Sequence, residues 1–280
     1  MPYTTLVSTA ELAAHPQDPD WIVFDCRHDL ANAGYGPGEY ARGHIPGARF
    51  LHQDHDLAAP PTGKNGRHPL PEARTFMRKL GELGVDKDKQ VIAYDAHGGV
   101  YASRLWWMLR WVGHANVAVL DGGFIKWTGE QRPASALPPQ PVPAAFAGEA
   151  RAVTIAAEDI LARIGKPGGK LIDARSPDRF RGENETLDPV GGRIPGALNR
   201  FFKDNLDAHG CFRPAAELRQ AFSALLGDTP AERVVHSCGS GVSACHNLLA
   251  MEIAGLPGSK LYPGSWSEWC SDPSRPVERG

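Results

Sequence analysis

The chain has 280 residues, 42% of them hydrophobic and 22% charged, with a formal net charge of -2. That length is enough for about two ordinary domains, each burying its own core. A nearly balanced charge argues against a nucleic-acid or anionic-membrane partner, and no stretch approaches the roughly 20 apolar residues of a membrane span.

The opening Met1-Pro2-Tyr3-Thr4-Thr5-Leu6-Val7-Ser8 has no basic segment leading into an apolar run, so the expected location is cytoplasmic. Five cysteines, Cys26, Cys211, Cys238, Cys245 and Cys270, are odd in number and widely spread, which fits free thiols in a reducing compartment. They contain no Cys-x-x-Cys pair, and the neighbouring Cys245-His246 lacks a second close ligand pair, so no metal is expected.

Along the first half, Trp21-Ile22-Val23-Phe24-Asp25-Cys26-Arg27 reads as a buried strand leading to the turn Gly43-His44-Ile45-Pro46-Gly47-Ala48. A polar loop follows, with His52, Asp54, His55 and Asp56, then Gly66-Arg67-His68-Pro69-Leu70-Pro71. Residues 71–83 have helical period, and Gln90-Val91-Ile92-Ala93-Tyr94-Asp95 is a second strand running into Ala96-His97-Gly98-Gly99. Residues 102–112, with Trp106, Trp107, Met108 and Trp111, have the spacing of a core helix rather than of a cofactor site. A proline- and alanine-rich stretch at 131–147 then resists regular structure and reads as an extended connector.

The second half repeats the first. Lys170-Leu171-Ile172-Asp173-Ala174-Arg175 leads to Gly192-Arg193-Ile194-Pro195-Gly196-Ala197, Arg233-Val234-Val235-His236-Ser237-Cys238 answers Gln90 to Asp95, and Gly264-Ser265-Trp266-Ser267-Glu268-Trp269 answers Gly122-Gly123-Phe124-Ile125-Lys126-Trp127. Further helical stretches lie at 215–226 and 244–254. Short Val/Ile/Leu runs alternating with amphipathic segments predict an α/β fold in each half: a mainly parallel sheet with helices on both faces. The predicted organisation is a first domain over residues 1–130, a linker over 131–147 and a second domain over 148–280. The two Asp-x-Arg pairs, Asp25 with Arg27 and Asp173 with Arg175, are expected to tie strand ends to the Gly-x-Ile-Pro-Gly turns.

Only the second copy carries a nucleophile. In Cys238-Gly239-Ser240-Gly241-Val242-Ser243 a cysteine ends a strand, glycines free the following amides, and a helix begins, with Cys245 packed two turns along it. Successive N–H groups in such a turn attract negative charge and favour thiolate over thiol. The first copy has Asp95 at the same place, cannot carry transferable sulfur, and is expected to supply structure and one wall of a cleft.

The twin Asp-x-Arg and Gly-x-Ile-Pro-Gly-Ala signatures, the Cys238 loop and the closing Gly264-Ser265-Trp266-Ser267-Glu268-Trp269 resemble the tandem-domain rhodanese family of sulfurtransferases over nearly the whole chain. The resemblance implies two tandem rhodanese-like domains, the first catalytically inactive, a persulfide intermediate on Cys238, and no cofactor. Gly239 and Ser240 resemble the 3-mercaptopyruvate branch; the thiosulfate branch typically carries arginine and lysine there. Cationic side chains suit a thiosulfate dianion, whereas the Ser240 hydroxyl suits protonation of a departing pyruvate enolate. Gly239, Gly241, Val242 and Ser243 would form the loop around the donor's sulfur. Arg179 matches a substrate-binding arginine, with a surface pairing to Asp178 or Glu183 as the alternative. Asp54 and His68 match an acid and a histidine that handle protons with Ser240, a solvated polar loop being the alternative. The resemblance also implies a second carboxylate-binding arginine at the position of Asp188; Arg181 or Arg193 are the candidates to replace it.

The implied reaction moves sulfur from a small-molecule donor, 3-mercaptopyruvate, to an acceptor thiol, thioredoxin or cyanide, with no nucleic acid and no membrane involved. The alternatives are a thiosulfate sulfurtransferase and a non-catalytic persulfide carrier. A phosphatase would need an arginine closing the loop, where this chain has Ala244.

Overall fold

The computed structural model describes residues 2–16 and 18–280, and they divide into two compact units. Of the described residues, unit 1 comprises those up to 59, with 71–152 and 208–212; unit 2 comprises 60–70, 153–207 and 213–280. The two sequence halves therefore exchange short segments: residues 60–70 belong to unit 2 and residues 208–212 to unit 1.

In unit 1, β1 (Leu6–Val7), α1 (Thr9–Ala13), β2 (Trp21–Asp25), α2 (Tyr35–Arg42), β3 (Arg49–Phe50), α3 (Ala73–Glu82), β4 (Gln90–Tyr94), α4 (Ala102–Trp111), β5 (Val117–Leu120) and α5 (Gly123–Gly129) follow in order. The strands pair in the order β1-β5-β4-β2-β3, every pairing parallel. Parallel strands need crossovers and bury both faces, which is why β4 is buried at all five positions. Its core gathers Val7, Val23, Ile45, Ile92, Tyr94, Leu120 and Trp127. Nine of the ten residues of α4 are buried, with Arg110 half-buried, so its tryptophans are core as their spacing predicts.

The connector at 131–147 has one isolated bridge, Ser135 to His44, and its Ala144 N–H donates to Gly81 O. Both contacts lie within unit 1.

Unit 2 contains α6 (Ala157–Leu161), β6 (Lys170–Asp173), α7 (Pro177–Arg181), β7 (Leu198–Asn199), α8 (Ala215–Leu226), β8 (Val234–Ser237), α9 (Ser243–Ile253), β9 (Lys260–Leu261) and α10 (Ser265–Trp269). Its strands pair in parallel in the order β7-β6-β8-β9, and Thr154 bridges to Leu261 at the edge as β1 does to β5. The duplication in sequence is thus a duplication of fold.

The Asp-x-Arg pairs have the same geometry in both units. Arg27 Nη2 lies 2.6 Å from Asp25 and donates to Gly43 O at 2.7 Å; Arg175 Nη2 lies 2.6 Å from Asp173 and donates to Gly192 O at 2.8 Å. Each pair is almost fully buried, so its charges are tolerable only because they are mutually bonded. They fasten the first turn glycine to the end of β2 in unit 1 and of β6 in unit 2.

Candidate active site

Because the strands of unit 2 are parallel, their C-terminal ends share one edge, and Cys238 follows β8 directly there. Ala174 N–H donates to Ser237 O at 2.9 Å, fixing the strand end against β6. On the other side α9 is buried at eight successive positions, Ala244 to Met251. The loop between β8 and α9 is therefore clamped at both ends.

Cys238 is 2% exposed, and its sulfur accepts a hydrogen bond from the Gly241 N–H at 3.1 Å. Gly241 has φ +78, and a Cβ there would lie 2.3 Å from Pro263 O, so only glycine turns this amide toward the sulfur. Beneath the loop sits the start of α10. Cys238 N–H donates to Ser265 Oγ at 3.0 Å, Ser265 Oγ–H donates to Tyr262 O at 2.9 Å, and the N–H groups of Trp266 and Ser267 bond Cys238 O and Gly239 O at 2.9 Å each. Ser265 holds φ +52, a left-handed conformation unusual for a residue with a Cβ. Nothing local in the sequence marks this conformation.

The corresponding loop of unit 1 reveals what such a backbone attracts. Asp95 Oδ1 accepts N–H bonds from His97 at 2.7 Å and Gly99 at 2.9 Å, and Oδ2 accepts from Tyr101 at 2.8 Å and Ala102 at 3.0 Å. Four main-chain donors converge on one carboxylate. The turn is an anion cradle in unit 1, filled by its own side chain.

Residues 60–70 bring two further groups to unit 2. Gly66, at φ +83, comes so close that a Cβ would lie 2.8 Å from Gly264 O, and Arg67 N–H donates to Ser267 Oγ at 3.0 Å. Anchored in this way, the segment delivers His68, whose Nδ1 is 2.7 Å from Ser240 Oγ. Both side chains are buried, at 6% and 5% exposure. A short hydrogen bond between imidazole and hydroxyl, shielded from water, is suited to passing a proton in either direction.

Arg67 also enters a charged cluster. Its Nη1 bonds Asp188 Oδ1, and Asp188 Oδ2 is 3.5 Å from Arg179 Nη2. Arg179 donates to Glu185 through Nε at 3.1 Å and through Nη2 at 2.8 and 2.9 Å. Burial is the largest single influence on the Glu185 carboxyl and pushes it up, but the bond and charge of Arg179 together with the N–H bonds from Leu187 and Asp188 hold the group below its usual range. Asp188 is raised, because desolvation exceeds what Arg67 gives back. A Cβ on Gly239 would lie 2.8 Å from Arg67 Nη2 and 3.5 Å from Arg179 Nη2. Glycine at 239 thus leaves room for guanidinium groups at the loop.

The sequence expectations for Arg179 need correcting in one respect: its carboxylate partner is Glu185, not Glu183, and only its backbone N–H bonds Asp178. Glu183 pairs instead with Arg181, which is exposed, and Arg193 pairs with Glu278 and stacks over Phe180. Arg181 and Arg193 are thus committed elsewhere. Val242 is buried at the start of α9, Ser243 is half-buried there, and Cys245 is a packed thiol directed to Gly241 O at 3.3 Å.

Asp54 belongs to unit 1. Its carboxylate stands 3.7 Å from His28 Nε2 and 4.0 Å from His52 Nδ1, and these three ligand atoms fall within 4.8 Å of one another. Two imidazoles and a carboxylate could meet a divalent cation. Hydrogen bonds also account for the group, since His52 Nδ1 accepts from Asp54 N–H and Nε2 donates to Ala33 O, both at 3.1 Å.

The family described as Rhodanese-like domain matches twice, over residues 8–130 and 156–272. The chain belongs to the rhodanese-like family, in a two-copy form. It is 45% identical over 278 residues to the "Probable 3-mercaptopyruvate sulfurtransferase" of Pseudomonas aeruginosa, covering 98% of each chain. It is 34% identical to the thiosulfate sulfurtransferase of Bos taurus, over 95% of this chain and 92% of that one. The solved 3-mercaptopyruvate sulfurtransferase of Leishmania major superposes with a TM-score of 0.84 at 29% identity, over 95% of this chain and 74% of its own. Among the described residues no helix is long and apolar enough to cross a membrane.

Proposed function

We propose that this chain is a sulfurtransferase that takes sulfur from 3-mercaptopyruvate onto Cys238 and passes it to a thiol or cyanide. The observation that carries the donor assignment is the hydrogen bond between Ser240 Oγ and His68 Nδ1 beside the cysteine loop. Thiosulfate releases sulfite, a stable anion that needs no new bond to hydrogen. Mercaptopyruvate releases an enolate, which must gain a proton at carbon.

In the first step Cys238 thiolate attacks the thiol sulfur of the donor. An S–S bond forms and the C–S bond breaks, with its electron pair going to the departing carbon. Ser240, relayed by His68, delivers a proton to that carbon, giving pyruvate; the proton of the donor's thiol replaces it. The Cys238 persulfide remains, its outer sulfur negative and facing the loop amides, as an oxyanion faces its donors. In the second step an acceptor thiolate or cyanide attacks the outer sulfur, and the S–S electron pair returns to Cys238. Cyanide leaves as thiocyanate. Thioredoxin is the proposed protein acceptor, by its exposed thiol chemistry.

The thiosulfate reading is favoured by one observation, the two guanidinium groups at Gly239. Measuring kcat/KM with each donor, cyanide being the acceptor, decides between them. A larger value for mercaptopyruvate supports the proposal, and a larger value for thiosulfate reverses it. Turnover with neither leaves a carrier.

A further inference from the structure

We infer that Arg67 is the cation that grips the donor's carboxylate, with Asp188 as the side chain that aims it; the inference rests on the donor assignment above. Four features of unit 2 support it.

Arg67 comes nearer the loop than any other cation around Gly239, its Nη2 lying 2.8 Å from where a Cβ would stand, against 3.5 Å for Arg179 Nη2. Arg179 has its Nε and Nη2 edge, one of the two that a carboxylate can grip in bidentate fashion, already occupied by Glu185. Arg67 is held at one end only. Asp188 takes Nη1, leaving Nη2 at the loop, and the Arg67 side chain is 28% exposed, open to an incoming ion.

The backbone fixes where that side chain starts. Gly66 against Gly264 and Arg67 N–H on Ser267 Oγ hold residue 67 to the same short helix, α10, that braces Cys238 and Gly239. A guanidinium positioned from both its backbone and one Nη loses little freedom on binding.

Glycine at 239 and arginine at 67 are therefore complementary. A side chain on residue 239 would run into the guanidinium, and the loop gives up its own charge to a cation supplied from residues 60–70.

The test is steady-state kinetics of Arg67→Gln and Arg67→Lys with two donors, mercaptopyruvate and mercaptoacetone, which has the same thiol and ketone but a methyl in place of the carboxylate. Arg67→Gln should raise KM for mercaptopyruvate roughly tenfold or more, the loss expected for one charge-assisted hydrogen bond, with kcat changed less. Arg67→Lys should recover part of it. Mercaptoacetone should be used equally well by wild type and both variants. Urea unfolding of each variant verifies that it folds. An unchanged KM for mercaptopyruvate overturns the inference. So does an equal loss with mercaptoacetone, which would mark a purely structural role, as would an Arg67→Gln chain that fails to fold together with a wild-type KM in Arg67→Lys. A wild-type chain inert to mercaptopyruvate removes the donor assignment instead, and the inference falls with it.

Discussion

Each group at the site has a separable consequence. Ser240→Ala keeps the glycines of the loop and the Gly241 N–H on the sulfur but removes the proposed proton relay. Turnover of mercaptopyruvate should fall about a hundredfold or more, the usual worth of general acid–base catalysis, while thiosulfate turnover changes little; rates with both donors on one preparation check this. Equal losses with both would mean that Ser240 only supports the loop. Cys238, Ser240 and Gly241 were legible in the sequence because strand, nucleophile and glycine turn are contiguous there. Arg67 was not, since its partner Asp188 lies in a distant segment and no local spacing announces such a pairing. The pairing of Arg179 with Glu185 escaped for a related reason: α7 ends at Gly182 in a left-handed turn, which carries residue 185 back over the helix.

The elements around the loop carry the strain that shapes it. Ser265 and Gly123 are equivalent positions with φ +52 and +57, yet only the serine bonds the nucleophile's amide. Ser265→Ala keeps the strained backbone and loses that bond, and should cost about 1 kcal/mol in urea unfolding. Ser265→Gly loses the same bond while relieving the left-handed penalty, and should retain about 1 kcal/mol more than the alanine variant. In unit 1, Gly123→Ala would set a Cβ 2.3 Å from Asp95 O, and should destabilise more than either. Thermal midpoints of all three variants order these effects. The helices at 73–82, 102–111, 215–226 and 243–253 follow their sequence periodicity to within about two residues. Two-residue strands such as β1, β3, β7 and β9 carry too few side chains for any period to register.

At the scale of the whole chain, duplication explains both the symmetry and its breaking: one fold twice, one cradle filled by Asp95 and the other offered to sulfur. Two similar sheets were readable from the repeated motifs. The exchange of residues 60–70 and 208–212 between units was not, because a crossing segment leaves no mark on composition. Stability should also depend on pH through His236, buried in β8 beside the site, where desolvation holds its pKa down at about 3. In the unfolded chain a histidine titrates near pH 6.5. Between those values the unfolded state binds the extra proton, so stability falls as pH drops, by up to about 1.4 kcal/mol per unit. Urea midpoints from pH 7 to 4 should decline less steeply in His236→Gln, and an unchanged slope would contradict this.

The most direct trial of the account is mass spectrometry of the intact chain after treatment with mercaptopyruvate in the absence of an acceptor, followed by peptide mapping. The account predicts a gain of one sulfur atom, on Cys238 alone, reversed by cyanide and missing in Cys238→Ser. Sulfur retained by the Cys238→Ser chain, or mapped to Cys26, Cys211, Cys245 or Cys270, would contradict it.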